Sequence, residues 1–243
     1  KGTTLKKTYF LQPLMLDATD GLVVTCDVDA GGERFEISSK PEDGDKVVHC
    51  AGDTGAVSKA PLGPQPAAVR EHTGTSAALE HTALYTALRE GGLEYGPEFR
   101  MLARVYAYKE GGLAMAHLSR RRHRHGTKVH PADLDGAIQL TSTLVDTSSG
   151  ETRLPFMVAE AALTSAAGSM CAVVQRESGD ETTVMMSGPA GKEAMAKLSG
   201  FESRVLKALT APEVARELHM YVTQWEALNA PAAGTEAFSP ALM

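Results

Sequence analysis

Short segments of alternating apolar residues, joined by tight glycine turns, make up much of this 243-residue chain. The alternating segments read LVVTCDV, RFEIS, RMLARVYAY, GLAMAHL, MCAVVQ and TTVMM. Turn pairs such as Asp20-Gly21 and Gly111-Gly112 separate neighbouring segments, as expected for antiparallel strands with one buried face. Helical spacing appears over Ser76–Glu90 and again from about Asp135. The pattern predicts an α+β fold in which antiparallel strands surround a helix.

Charge and cysteine content exclude several classes of protein. The chain has 24 basic and 30 acidic residues, a net charge of −6, which argues against a nucleic-acid binder that needs a positive surface. Cys26, Cys50 and Cys171 are far apart and form no CxxC pair, so neither a disulfide framework nor a zinc site is predicted. No apolar run approaches the roughly twenty residues that span a bilayer, and no signal-peptide pattern opens the chain. We therefore expect a cytoplasmic domain that binds no metal, membrane or nucleic acid.

The segment HPADLDGAIQL, residues 130–140, is the strongest candidate for a site. It places Asp135 at the start of a helical run and Gln139 one turn later, so both side chains can point into one pocket. We expect His130-Pro131 to form the entry turn and Asp133 to point to solvent. An aspartate just inside a helix is more often a capping or dipole-stabilised residue. This segment alone therefore leaves the catalytic and the structural interpretation open.

Two further motifs lie on either side of this segment, GLEYGPEF before it and RLPFMVAEAAL after it. Together the three match, in order, the YGPxF, HPxxxDxxxQ and LPF motifs of polyketide synthase dehydratase domains, which this chain resembles. The matching residues are Tyr95, Gly96, Pro97, Phe99, His130, Pro131, Asp135, Gln139, Leu154, Pro155 and Phe156. The resemblance implies a double hotdog, two units that each wrap an antiparallel sheet around a helix.

The resemblance also implies an activity. Such a domain is a hydro-lyase that removes water from a β-hydroxyacyl thioester to give an α,β-unsaturated thioester. The substrate is carried on the phosphopantetheine of an acyl carrier protein, and the domain itself binds no cofactor. Asp135 is expected to protonate the leaving hydroxyl, Gln139 to hold Asp135 or that hydroxyl, and Tyr95 to offer its hydroxyl to the channel. Gly96 would allow close backbone approach, while Pro97, Phe99, Leu154, Pro155 and Phe156 would shape the channel wall.

The family's catalytic base is a histidine in an HxxxGxxxxP motif of the first hotdog, and no histidine of this chain has that spacing. His49 fails because Asp53 occupies the position of the glycine. By the resemblance, the chain enters a first hotdog truncated at its N-terminus, and the segment with the base precedes Lys1. We therefore expect this piece alone to be inactive.

The domain boundaries follow from the same comparison. Residues 1–58 are assigned to the C-terminal part of the first hotdog and 59–78, which contain Pro61, Pro64 and Pro66, to a linker. Residues 79–208 are assigned to the second hotdog and 209–243 to a connector towards a ketoreductase-like region.

Two alternatives stay open at this stage, a noncatalytic dehydratase-like scaffold and a product-template domain that steers cyclisation of a poly-β-ketone. The partners implied are the acyl carrier protein and neighbouring synthase domains, and the parent synthase could form a homodimer. The basic segment Ser119–Gly126 is most simply a solvated loop. Alternatively, Arg121, Arg122 and Arg124 contact the acidic carrier protein or the phosphopantetheine phosphate.

Overall fold

A computed structural model describes residues 3–14, 22–40, 44–56, 69, 79–121, 123, 126–145, 152–164, 168–189, 191 and 194–205. The strands are β1 (Thr3–Phe10), β2 (Val23–Val28), β3 (Arg34–Lys40), β4 (Val47–Ala56), β5 (Leu102–Tyr108), β6 (Leu113–Leu118), β7 (Arg153–Leu163), β8 (Met170–Ser178), β9 (Glu181–Ser187) and β10 (Ala194–Val205). The helices are α1 (His81–Glu90) and α2 (Pro131–Gln139), with 3-10 turns at Pro97–Phe99 and Leu140–Leu144. The predicted α+β class is confirmed.

The described strands form a single ten-stranded sheet with the order β2-β3-β4-β1-β7-β10-β9-β8-β6-β5, in which every neighbouring pair is antiparallel. Strands β1–β4 form one end and β5–β10 the other. The two ends join where β1 pairs with β7, with Thr3 opposite Leu163 and Tyr9 opposite Met157. This pairing crosses most of the chain, so local sequence signals do not reveal it.

Helix α2 packs on β6, β8 and β9 over the main core. Three of the buried residues on these strands are small: Ala114, Ala116 and Ala172 are fully buried. Gly136 brings the helix close to the chain before β5, because a Cβ there would lie 2.8 Å from the Cβ of Met101. These small residues let the helix that carries Asp135 sit directly against the sheet.

The start of α2 differs from the prediction. The helix begins at Pro131, about four residues before Asp135, with His130 as its N-cap and the Nδ1 of that ring accepting a hydrogen bond from the Ala132 N–H at 3.2 Å. Proline suits the first helical position because its missing N–H has no helical partner there. The predicted entry turn at His130-Pro131 is thus observed. Asp135, however, lies in the middle of the helix, and Asp133 occupies the first turn.

Among the other predicted helices, strands and turns, some are confirmed, one begins at a different residue and some lie outside the described residues. The predicted strands around β5, β6, β8 and β9 are confirmed. Helix α1 begins at His81, not at Ser76, because Leu79 pairs with Val105 of β5 and donates its N–H to that carbonyl at 2.9 Å. The Asp20-Gly21 turn, nearly all of the linker 59–78 and the connector 209–243 lie outside the described residues. No helix in the described part of the chain is long and apolar enough to cross a membrane.

Candidate active site

A cavity of about 350 Å³ lies beside Asp135, bordered by α1, α2 and the beginning of β7. Its wall is largely apolar and includes Leu84, Leu88, Leu93, Ile138, Leu154 and Pro155. Polar side chains interrupt this wall, among them Asp135, Gln139 and Tyr95 and the two cations Lys109 and Arg153. A hollow of this size, with a few converging polar groups, is typical of small-molecule sites.

Asp135 is held in a largely desolvated position. Its Oδ2 accepts a hydrogen bond from the Gln139 Nε2 at 2.7 Å. Burial raises the pKa of the Asp135 carboxyl above its ordinary value of 3.8, and the hydrogen bond from Gln139 only partly opposes that rise. The helix N-terminus, which would favour the charged form, lies nearer to Asp133. Asp135 therefore holds a proton at higher pH than an ordinary aspartate, as a proton donor must.

Gln139 connects Asp135 to two other segments. The same Nε2 donates to the carbonyl of Phe99 at 2.9 Å, and the Tyr85 hydroxyl donates to the Gln139 Oε1 at 2.8 Å. The Tyr85 oxygen in turn accepts the N–H of Leu102 at 3.2 Å. The sequence motifs do not include Tyr85. Its position on the apolar side of the α1 pattern could have indicated it, because a buried tyrosine hydroxyl needs a partner.

The YGPxF residues occupy positions that differ in part from the predictions. Tyr95 lines the cavity, and burial, followed by the charges of Asp135 and Tyr85, raises the pKa of its hydroxyl so that it stays protonated. No described atom lies within 4 Å of the Cβ position of Gly96, so the expected close approach is not observed. Pro97 opens the 3-10 turn. Phe99 is 41% exposed and contributes its carbonyl, not its ring, to the site. Neither Pro97 nor Phe99 lines the cavity.

The three residues of the LPF motif do not all lie at the cavity. Leu154 and Pro155 line the cavity, but Phe156 does not. The ring of Phe156 packs edge-on against Tyr9, 6.0 Å between centroids, and lies 3.2 Å from the Arg204 Cζ. It therefore stabilises the junction of β1, β7 and β10 and is not part of the channel wall.

Asp133 does not point to solvent, contrary to the prediction. It is 1% exposed, and its Oδ1 accepts from the Arg121 Nε at 3.2 Å. Arg121 also donates to the Glu98 carboxylate at 3.0 Å and to the Glu98 carbonyl at 2.8 Å. The guanidinium thus ties the first turn of α2 to the YGPxF segment. Arg121 is not available as a docking group, and Arg122 and Arg124 lie outside the described residues.

None of the described histidines lines the Asp135 cavity. The Nε2 of His49, in β4, lies 2.6 Å from the Ser39 hydroxyl, and its Nδ1 lies 3.1 Å from the carbonyl of Gln12. Within the described ranges, no three His, Cys, Asp or Glu side chains come together as a metal site would require.

The raised pKa of Asp135 predicts a specific dependence of stability on pH. The protonated carboxyl contributes stability that is fully present below pH 3.8 and is lost as pH rises through the raised folded-state pKa. The variant Asp135→Asn lacks this titration, so its unfolding free energy relative to wild type should increase over that window, by about 1.4 kcal/mol for every pH unit that separates the folded-state pKa from the unfolded one. Urea denaturation of both chains from pH 4 upwards checks this. A difference independent of pH would show that burial does not raise the pKa.

Comparisons with known proteins point to one family. Residues 63–213, more than half of the chain, match the family described as polyketide synthase dehydratase N-terminal domain. A curated relative, polyketide synthase ThaG of Burkholderia thailandensis, is 27% identical in an alignment of 233 residues that covers 93% of this chain and 4% of that protein. The chain thus spans a small part of the curated relative that it matches.

Solved structures share the fold. A trans-AT polyketide synthase dehydratase domain from Brevibacillus brevis superposes with a TM-score of 0.72 at 22% identity, covering 85% of this chain and 77% of that one. The dehydratase domain of the CurF module of curacin polyketide synthase gives 0.69 at 19% identity, covering 84% and 77%. An inactive Asp-to-Asn mutant of CurK dehydratase gives 0.70 at 13% identity, covering 84% and 74%. The predicted double-hotdog fold is thereby confirmed.

Proposed function

The chain belongs to the polyketide synthase dehydratase family, and from this premise we propose that it supplies the acid half of a dehydratase active site. The substrate would be a β-hydroxyacyl thioester on an acyl carrier protein, and the product an α,β-unsaturated thioester. The observation that carries this proposal is the protonatable Asp135 carboxyl, which faces an apolar cavity of about 350 Å³ and is anchored through one oxygen.

Dehydration needs a base on the α-carbon and an acid at the β-hydroxyl. In the proposed reaction the base removes the α-proton, and the electron pair of that C–H bond forms the new double bond. The C–O bond at the β-carbon breaks as Asp135 delivers its proton to the departing oxygen, so that water leaves and Asp135 becomes a carboxylate. The base is proposed to be a histidine of the first hotdog outside the described residues, as the resemblance implies. The raised pKa of Asp135 favours its protonated, proton-donating form.

The remaining cavity groups have supporting roles in this proposal. The Tyr95 hydroxyl stays protonated, because burial raises its pKa, and can donate to an oxygen of the substrate. Leu154 and Pro155, with the leucines of α1, contact the acyl chain and exclude water around the acid. No bound cofactor is needed for this chemistry, and the carrier protein and neighbouring synthase domains would be the partners.

The test is a turnover assay with the complete dehydratase domain of the parent synthase. A β-hydroxyacyl chain loaded on a carrier protein should lose one water. Mass spectrometry of the carrier and absorbance of the conjugated thioester measure this loss. An unchanged substrate would favour the noncatalytic scaffold. A ring-closed product from a poly-β-ketone, with no reaction of the β-hydroxyacyl chain, would favour the product-template activity. Either result would overturn the proposed function.

A further inference from the structure

The buried hydrogen bonds that lead to Asp135 run in one direction, from the Leu102 N–H through Tyr85 and Gln139 to the carboxyl. We propose that Tyr85 is a positioning residue that acts through Gln139 to orient Asp135, so that the transferable proton resides on Oδ1. The expected effect of Tyr85 on catalysis rests on the proposed function, whereas its expected effect on the orientation of Asp135 does not. Tyr85 does not line the cavity, so it is not assigned a catalytic role.

The orientation of the Gln139 amide follows from its partners. The carbonyl of Phe99 can only accept, so the nitrogen that lies 2.9 Å away must be the NH₂ group of Gln139. That NH₂ group uses its second hydrogen on the Asp135 Oδ2. The amide oxygen therefore points the other way, to the Tyr85 hydroxyl at 2.8 Å.

The direction of the Tyr85 hydroxyl is likewise determined. Its oxygen accepts the backbone N–H of Leu102, so its single hydrogen is available for the Gln139 Oε1. Tyr85 is 7% exposed and Gln139 is 3% exposed, so water does not readily replace either partner. Burial, the largest influence, raises the pKa of the Tyr85 hydroxyl and keeps this donor protonated.

The hydrogen bond from Gln139 distinguishes the two carboxyl oxygens of Asp135. The Gln139 N–H points at Oδ2, which makes Oδ2 the accepting, carbonyl-type oxygen of the protonated acid. A proton on Oδ2 would compete with that N–H, so the proton resides on Oδ1. Without the Tyr85 hydrogen bond, the buried Oε1 of Gln139 loses its donor, and the amide can leave the position that holds Asp135. The hydrogen bond from Gln139 lowers the pKa of Asp135, so its loss raises that pKa further.

The experiment compares Tyr85→Phe with wild type by two independent readouts. Carboxyl NMR titration of the full chain should show a higher pKa for Asp135 in Tyr85→Phe. In the complete domain, kcat should fall about ten- to a hundredfold with little change in KM. The limb on which activity is lost at high pH should move upwards, because it follows the deprotonation of Asp135. Tyr108→Phe, on an exposed β5 tyrosine outside the cavity, is the matched control and should change none of these.

A double-mutant cycle with Gln139→Leu separates positioning from simple loss of packing. If Tyr85 acts through Gln139, Tyr85→Phe should have little further effect on the Asp135 pKa in the Gln139→Leu chain. Unchanged Asp135 titration in Tyr85→Phe, or fully additive effects of the two changes, would overturn the inference. Absence of dehydration by the wild-type domain would instead refute the proposed function, while the NMR titration would still decide the role of Tyr85.

Discussion

Replacement of Asp135 by asparagine in the complete domain should abolish dehydration, with a loss of about 10²–10⁴-fold or more, while the fold is retained. A general acid contributes an acceleration of this order, and an amide N–H is a far weaker acid than a carboxyl. Asparagine is nearly isosteric, and its carbonyl oxygen can still accept the N–H of Gln139 that now binds Oδ2. Because Asp135 is half-buried with a raised pKa, loss of the charge should not weaken the helix.

The measurement is single-turnover conversion of a β-hydroxyacyl chain on its carrier protein. Asp45→Asn, a change at an exposed aspartate outside the cavity, should leave the rate unchanged and controls for general effects of removing a carboxylate. Carrier-protein affinity should be equal in all three proteins, since Asp135 contacts the reacting end of the substrate. Full turnover by Asp135→Asn would exclude this residue as the acid.

Local signals in the sequence are sufficient to predict the helices and strands, but not all of the contacts between them. The strands β5, β6, β8 and β9 could be predicted because alternation and glycine turns act between near neighbours. The placement of Gln139 beside Asp135 follows from helical periodicity in the same way. The pairing of β1 with β7 joins segments about 150 residues apart and has no local signal.

Two residues, Phe99 and Asp133, differ from the predictions because contacts with distant parts of the chain determine their roles. The motif predicts a role for the ring of Phe99, but its carbonyl binds Gln139, and backbone groups are the same in every residue. Asp133 lies two positions from Asp135, so periodicity correctly turns it away from the acid, but periodicity does not indicate what it meets there. Its partner, Arg121, comes from a loop whose composition is typical of a solvated surface. Only the fold brings these two charges together.

The Arg121 side chain should be among the largest single contributors to the stability of this half of the chain. It is 9% exposed and pairs with an Asp133 side chain that is 2% exposed. Arg121→Met should lower the free energy of unfolding by about 3–5 kcal/mol, because it leaves a buried carboxylate without its countercharge. The nearby start of α2 offsets only part of that cost. Urea or thermal unfolding of the chain measures the loss.

Two control variants distinguish the buried pair from its surroundings. Arg120→Met removes a neighbouring exposed arginine and should change stability by no more than about 0.5 kcal/mol. Glu98→Gln weakens the other ion pair of Arg121, and although its N···O distance of 3.0 Å is the shorter one, the Glu98 side chain is 84% exposed. Its loss should therefore cost less than about 1 kcal/mol.

Combining Arg121→Met with Asp133→Leu tests the physical cause directly. Removal of both charges eliminates the unpaired carboxylate, and a well-packed apolar pair of similar size can be as stable as the ion pair it replaces. The double variant should therefore recover much of the stability lost in Arg121→Met. If it is as unstable as the single variant, the cost arises from lost packing of the long arginine side chain against Met101 and Glu98 rather than from burial of charge. In that case Arg121 would hold the YGPxF segment mainly by contact and by its bond to the Glu98 carbonyl, and Asp133 would have little energetic role.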